Sequence, residues 1–231
     1  MPSVEKPRLL IAGATGVLGN EVLRRLVGSS AFGTTQVLAR EPITAGLRGV
    51  RTTLVPSAAP QEWPLAPADV GVVLFDPPRM FYDRERALWT PEPGQLLPLA
   101  RWMRASGVRT LAVVLPHAPG QLPEALKRGL ATLDEQAIAA LGFERLLILR
   151  SARKPPEPAG RSAPARLAHW MLGVFKYMVP SSEQPVRAVK VAELLSAALR
   201  LAPPGIHVAA PELVWQAAQQ DVREVARRWL G

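Results

Sequence analysis

The sequence predicts an α/β fold, a doubly wound parallel sheet with a small helical cover supplied by its C-terminal part. Three observations carry this. Short apolar runs recur along the chain, separated by stretches whose apolar residues repeat at helical spacing. The first run ends in a glycine-rich turn that leads at once into a helix. The 231 residues, 48% of them hydrophobic, suffice for one sizeable core. The chain is therefore read as a single domain, 1–231, with 151–231 as its C-terminal portion.

The elements follow in order. Arg8–Ala12 is a short apolar run that ends at Gly13 and reads as a buried strand. Leu18, Val22, Leu23 and Leu26 mark one face of a helix, with Glu21, Arg24 and Arg25 opposite and Gly28-Ser29-Ser30 as its stop. Gln36–Ala39, Arg51–Val55 and Val70–Phe75 are the next three strands. The last of these runs into Asp76-Pro77-Pro78 and a long connection to Gly94. Leu96, Leu99, Ala100 and Met103 mark a helix closed by Gly107, and Thr110–Leu115 a fifth strand. Leu130, Leu133, Ala137, Ile138 and Leu141 mark a long helix closed by Gly142, and Arg145–Arg150 a sixth strand. Helices between parallel strands require right-handed crossovers, which wind the sheet on both faces.

Composition excludes several functions. Without cysteine there is no disulfide, thiolate metal site or cysteine nucleophile. Three separated histidines, at 117, 169 and 207, make no metal cluster, so no metal site is expected. The net charge of +9 suggests a polyanion partner, but the excess is spread as +1, +5 and +3 over residues 1–77, 78–154 and 155–231. A nucleic-acid surface concentrates its cations, so no nucleic-acid partner is expected. No apolar run is long enough for a bilayer and the first residues are no signal peptide, so the expectation is a cytoplasmic protein without a membrane partner.

The turn Gly13-Ala14-Thr15-Gly16-Val17-Leu18-Gly19 carries the chemistry. Its first glycine permits the sharp exit from the strand. The second lets backbone approach a diphosphate, and the third lets helix and sheet pack closely. Free N–H groups and the positive helix end then favour phosphate. Dinucleotide binding is the expectation; the alternative is a glycine-rich turn that binds nothing.

This strand–turn–helix resembles the fingerprint of the atypical and extended short-chain dehydrogenase/reductases, and the whole layout resembles their NmrA-like and Tat-interactive-protein-like NAD(P)H-binding members. Gly142–Arg150 is similar to that family's strand after the long helix, and Pro185–Leu195 to its late helix. The likeness covers most of residues 7–210. It implies a Rossmann-type fold with the cofactor across the C-terminal ends of the strands, and a substrate-side portion in 151–231. Gly13, Thr15, Gly16, Val17, Leu18 and Gly19 would line the diphosphate and adenosine. Arg40 falls where such proteins read the adenosine ribose; a cation suits a 2′-phosphate, so NADP is favoured over NAD. Phe75, Asp76 and Pro77 would line the cofactor after the fourth strand. Arg40 as a solvated charge, and Asp76 as a cap for the turn at Pro77-Pro78, are the plainer readings.

The chain also departs from the family. Its oxidoreductases use a Ser or Thr after the fifth strand and a Tyr-x-x-x-Lys on the next helix to relay a proton. Here Leu115 and Pro116 stand at the hydroxyl position, and Lys127 and Ala131 at the tyrosine and lysine positions. The tyrosines, Tyr82 and Tyr177, lie elsewhere. His117, just past the fifth strand, is the candidate acid or base, against the reading of a loop histidine. Two functions are carried forward: an NADPH-dependent oxidoreductase acting on a small apolar carbonyl or quinone without the usual relay, and a non-catalytic NADP(H)-sensing regulator or scaffold.

In the C-terminal portion, 151–161 is proline-rich and reads either as a flap over the cofactor cleft or as a disordered loop. Leu167, Trp170, Met171, Val174, Phe175 and Met178 form an apolar helical stripe that would cover the cleft or pack on a second subunit, a homodimer. Ile206–Ala209 reads as a last strand. Asp221–Glu224 opens a final helix that buries Val222, Val225, Ala226 and Trp229.

Overall fold

The computed structural model of the chain describes residues 5–43, 49–57, 59–79, 82–116, 130, 132–150 and 188–231. Among these residues seven strands form one sheet: β1 (Leu9–Ala12), β2 (Thr35–Ala39), β3 (Val50–Leu54), β4 (Val70–Val73), β5 (Thr110–Leu115), β6 (Arg145–Arg150) and β7 (Gly205–Ala209). Their order is β3-β2-β1-β4-β5-β6-β7 and every pairing is parallel. This is a Rossmann-type doubly wound sheet. The chain runs outward from β1 to β3, crosses back, and runs outward again from β4 to β7. The switch point therefore lies between β1 and β4, where Ala12 pairs with Val73.

The pattern of side chains explains the two layers. All four residues of β1 are buried, as expected of a central parallel strand. Leu9 and Ile11 face one core, and Leu10 and Ala12 face the other. The first core is closed by helix α1 (Gly16–Val27), through Val22, Leu23 and Leu26, and by α5 (Ala188–Leu201), α6 (Pro211–Gln219) and α7 (Val222–Leu230). The second is closed by α3 (Leu96–Ala105) and α4 (Leu133–Ala139). There Trp63 meets Trp89 and Trp102 edge-on, with ring centroids 4.8 and 5.2 Å apart. Each fully buried Leu, Ile or Met in these layers contributes ~1.5–3 kcal/mol. The edge strands β3 and β7 are largely exposed.

Some details differ from the sequence reading. The fourth strand ends at Val73, so Phe75, Asp76 and Pro77 follow it. Leu133 is 83% exposed, not part of a buried stripe. The cause is local: Thr132 caps α4 by accepting from the Glu135 N–H, so Leu133 lies in the first turn and points outward. In α7, Asp221 caps as expected and Val222, Val225 and Ala226 are buried, but Leu230 is more deeply buried than Trp229. Two helices were not anticipated: α6, and the short α2 (Asp83–Ala87) in the connection after β4. Among the described residues, no helix is long and apolar enough to cross a membrane and no group of His, Asp and Glu could hold a metal ion.

Candidate functional site

The glycine turn sits at the switch point, between the end of β1 and the start of α1. Gly13 and Gly16 have φ of +78° and +66°, a left-handed backbone that a side chain disfavours. The space a Cβ would need is also taken. At Gly13 it would lie 2.0 Å from the Leu74 carbonyl oxygen, and at Gly16 2.7 Å from Asp76 Cβ. At Gly19 it would lie 2.5 Å from the Gly13 oxygen, which is the close packing of turn on helix that the third glycine permits. The backbone thus has the form of a diphosphate cradle.

Two of the amide donors of that cradle, those of Gly16 and Leu18, are engaged by the chain itself. Thr15 is the N-cap of α1, but its hydroxyl does not cap its own helix. It donates to the Asp76 carbonyl at 2.5 Å and lies 2.8 Å from Thr90 Oγ1. A threonine has one hydroxyl proton, so Thr90 donates in the second contact. The helix is capped from a distance by two carboxylates. Leu18 N–H donates to Asp76 Oδ2 at 2.9 Å, and Gly16 N–H to Glu85 Oε2 at 2.9 Å. Among the described residues the Val17 N–H has no acceptor, and Val17 is 54% exposed.

Glu85 is 1% exposed and its carboxylate is saturated. Besides Gly16 it accepts from Asn20 Nδ2 at 2.7 Å, from the Arg79 N–H at 2.9 Å, and from Arg79 Nε at 2.7 Å and Nη2. Asn20 also donates to the Gly16 carbonyl, and Arg84 to Asn20. Arg79 lies over the Tyr82 ring, 3.9 Å from its centroid. Burial alone would raise the Glu85 pKa, but the Arg79 side chain, with the backbone donors, outweighs it and holds the carboxyl below its ordinary value. Asp76 moves the other way. Burial raises its pKa against the Leu18 hydrogen bond, with the nearby Glu85 charge adding to the rise.

The segment carrying Glu85 is tied to the end of β2. Ala39 bridges to Leu88, Arg40 N–H donates to the Ala87 carbonyl at 2.7 Å, and Trp89 N–H donates to the Leu38 carbonyl at 2.9 Å. Gly13 N–H in turn donates to the Trp89 carbonyl at 3.1 Å. Residues 87–91 therefore lie across the ends of β1 and β2. That is the side of the crevice on which the sequence reading places the adenosine.

The structure brings Gly13, Thr15, Gly16, Val17, Leu18, Gly19, Asp76 and Pro77 to one place. Phe75 is half-buried against the α3 side of the sheet, and Arg40 is exposed at the end of β2. Leu115 ends β5, where the family's hydroxyl residue would stand. His117, Lys127, Ala131 and the segment 151–187 lie outside the described residues. Asp76 caps α1 through the Leu18 N–H, not the turn at Pro77-Pro78. Sequence reasoning missed Glu85, Arg79, Asn20 and Thr90. The one available signal was a lone glutamate between Arg84 and Arg86, just ahead of the apolar pair Leu88-Trp89.

The backbone has the shape of a diphosphate cradle, and in this arrangement its Gly16 and Leu18 amides are occupied by the Glu85 and Asp76 carboxylates.

No family model matches the chain, and no curated protein matches it significantly. Solved structures with a similar fold include the Helicobacter pylori ADP-L-glycero-D-manno-heptose-6-epimerase (12% identity, 96% of this chain and 84% of that one, TM-score 0.47). Yeast methylglyoxal/isovaleraldehyde reductase, complexed with NADPH, is another (10% identity, 88% and 78%, TM-score 0.47). A Rossmann-fold NAD(P)-binding family protein from Shigella flexneri is a third (19% identity, 67% and 71%, TM-score 0.39). These are likenesses of fold. The assignment of this chain as Rossmann-type rests on its own strand order and all-parallel pairing.

Proposed function

We propose that the chain is an atypical short-chain dehydrogenase/reductase-like protein of the NmrA-like kind, a single domain that binds NADP(H) at the glycine turn and acts as a cofactor-responsive regulator or scaffold. The observation that carries this is the turn itself. It stands at the switch point of a doubly wound sheet, with left-handed Gly13 and Gly16 opening a helix whose first amides are held by anionic oxygens. A site that already selects anions at those amides is suited to phosphate. Arg40, exposed at the end of β2, supports NADP over NAD. The absence of the Ser, Tyr and Lys relay supports regulation over turnover.

The second reading is an NADPH-dependent oxidoreductase on a small apolar carbonyl or quinone. It is favoured by the strand order, in which β5 is the next strand beyond β4 at the switch point, and it leaves His117 as the candidate proton donor.

Calorimetric titration of the full chain with NADPH and NADH tests the proposal. Tighter binding of NADPH, without NADPH consumption over a carbonyl and quinone panel, is the expected outcome. Binding of neither nucleotide overturns it. Turnover with a panel member would replace the regulator by the oxidoreductase.

A further inference from the structure

We propose that Glu85 is a built-in competitor for the diphosphate of the dinucleotide, so that the cleft opens only when residues 82–87 withdraw its carboxylate from the Gly16 amide. This rests on the reading of the cleft as a nucleotide site. Three features of the chain argue for it.

The first is chemical equivalence. Glu85 takes a backbone N–H at the start of a helix, an amide side chain and a guanidinium. These are the donors that bind phosphate elsewhere, and a diphosphate presents them with more charge. Arg79 need not move far to change partners, because its guanidinium is already beside the cradle and part of it is in solvent.

The second is the way the segment is attached. In α2 only Glu85 is buried; Tyr82, Asp83, Arg84 and Arg86 are exposed. Asp83 and Arg86 pair with each other in solvent. Thus residues 82–87 contribute almost no apolar surface to the core; the carboxylate ties them to the cradle, beside the Arg84–Asn20 hydrogen bond and the Arg40 N–H on the Ala87 carbonyl at the hinge. Directly beyond them Leu88 and Trp89 are buried and hydrogen-bonded to β2 and Gly13. A polar flap therefore hangs from an apolar hinge, the arrangement in which local opening costs far less than unfolding.

The third is electrostatic opposition. Asp76 and Glu85 place two carboxylates against the one cradle, on Leu18 and Gly16 respectively. An incoming diphosphate meets like charge until one of them leaves, so the closed state discriminates against the ligand by more than occupancy.

The test uses the full chain. NADPH affinity is measured by calorimetry for the wild type and Glu85→Gln, which keeps the side-chain shape and removes the charge. Binding at least about tenfold tighter in the variant is expected, a difference of ~1.4 kcal/mol. Equal or weaker binding by the variant, with a wild type that binds, overturns the competitor role and leaves the proposed function standing. If neither protein binds NADPH or NADH, both proposals fall, and Glu85 is a structural cap on a cleft that takes no nucleotide. Should the variant not fold, hydrogen exchange on the wild type decides. Saturating NADPH should speed exchange over residues 82–87; unchanged or slower exchange there overturns the proposal.

Discussion

Removing the Glu85 carboxylate altogether, by Glu85→Ala, should destabilise the fold measurably. The cost can be worked from its partners. Gly16 N–H is buried and has no other acceptor among the described residues, and leaving such a donor unpaired costs ~1–3 kcal/mol. Asn20 keeps the Gly16 carbonyl but loses its second acceptor, which is worth ~0.5–1.5 kcal/mol. Arg79 is partly in solvent and rehydrates, so nothing is added for its charge. The sum is about 3 kcal/mol, or a fall in Tm of roughly 6–12 °C for a chain of this size. Urea denaturation of wild type and variant measures it, with Asp83→Ala as the control, because the Asp83–Arg86 pair is exposed and its loss should leave the midpoint unchanged. If Glu85→Ala and Asp83→Ala had the same midpoint, the carboxylate would not be where the account puts it.

Other expectations follow from the same geometry. Gly13→Ala meets both a positive φ and a backbone oxygen 2.0 Å from the new Cβ, so little or no folded protein should be recovered, whereas Gly94→Ala, with open space around it, should fold normally. Trp89→Ala removes the middle of the hinge and one edge-on ring contact, and should cost ~3–5 kcal/mol in urea. The two carboxylates should give opposite pH dependences. Glu85, whose folded pKa is lowered, contributes stability that is present above its unfolded value and lost as pH falls through its folded one. Asp76, whose folded pKa is raised, contributes stability that is present below its unfolded value and lost as pH rises through the folded one. Asp76→Asn should therefore gain on the wild type at neutral pH and lose that gain in acid; a gain independent of pH would contradict the burial of an ionised Asp76. For cofactor choice, Arg40→Ala should weaken NADPH about tenfold and leave NADH unchanged, and equal effects on both would remove Arg40 from ribose recognition.

Much of the architecture was legible because it is written in short-range apolar pattern. Leu9–Ala12, Val70–Val73 and Thr110–Leu115 are buried on both faces, and such runs stand out from the helical stripes between them. The turn was legible for a similar reason: the need for glycine at 13, 16 and 19 comes from backbone shape, which spacing records. What fills the turn was not legible. Asp-Arg-Glu-Arg-Ala at 83–87 reads as a solvated charged stretch, and nothing local distinguishes Glu85 from its neighbours. Its burial is set by Gly16 and Asn20, more than sixty residues away in sequence, and by the anchorage of Leu88 and Trp89. Asp76 reads locally as a cofactor-lining residue after the fourth strand or as a cap for the turn at Pro77-Pro78, and its bond to the Leu18 N–H, 58 residues away in sequence, is not visible there. Leu133 was assigned to a stripe by periodicity, and the Thr132 cap, which sets where the helix begins, overrode it.

In the protein without nucleotide, Glu85 and Asp76 hold the Gly16 and Leu18 amides of the cradle. Amide hydrogen exchange at Gly16 and Leu18, in the protein without nucleotide, tests it most directly. The expected result is protection at both, comparable to that of the neighbouring amides of β1 and lost at Gly16 alone in Glu85→Ala. Fast exchange at both amides in the wild type would mean that the cradle stands open, and would contradict the account.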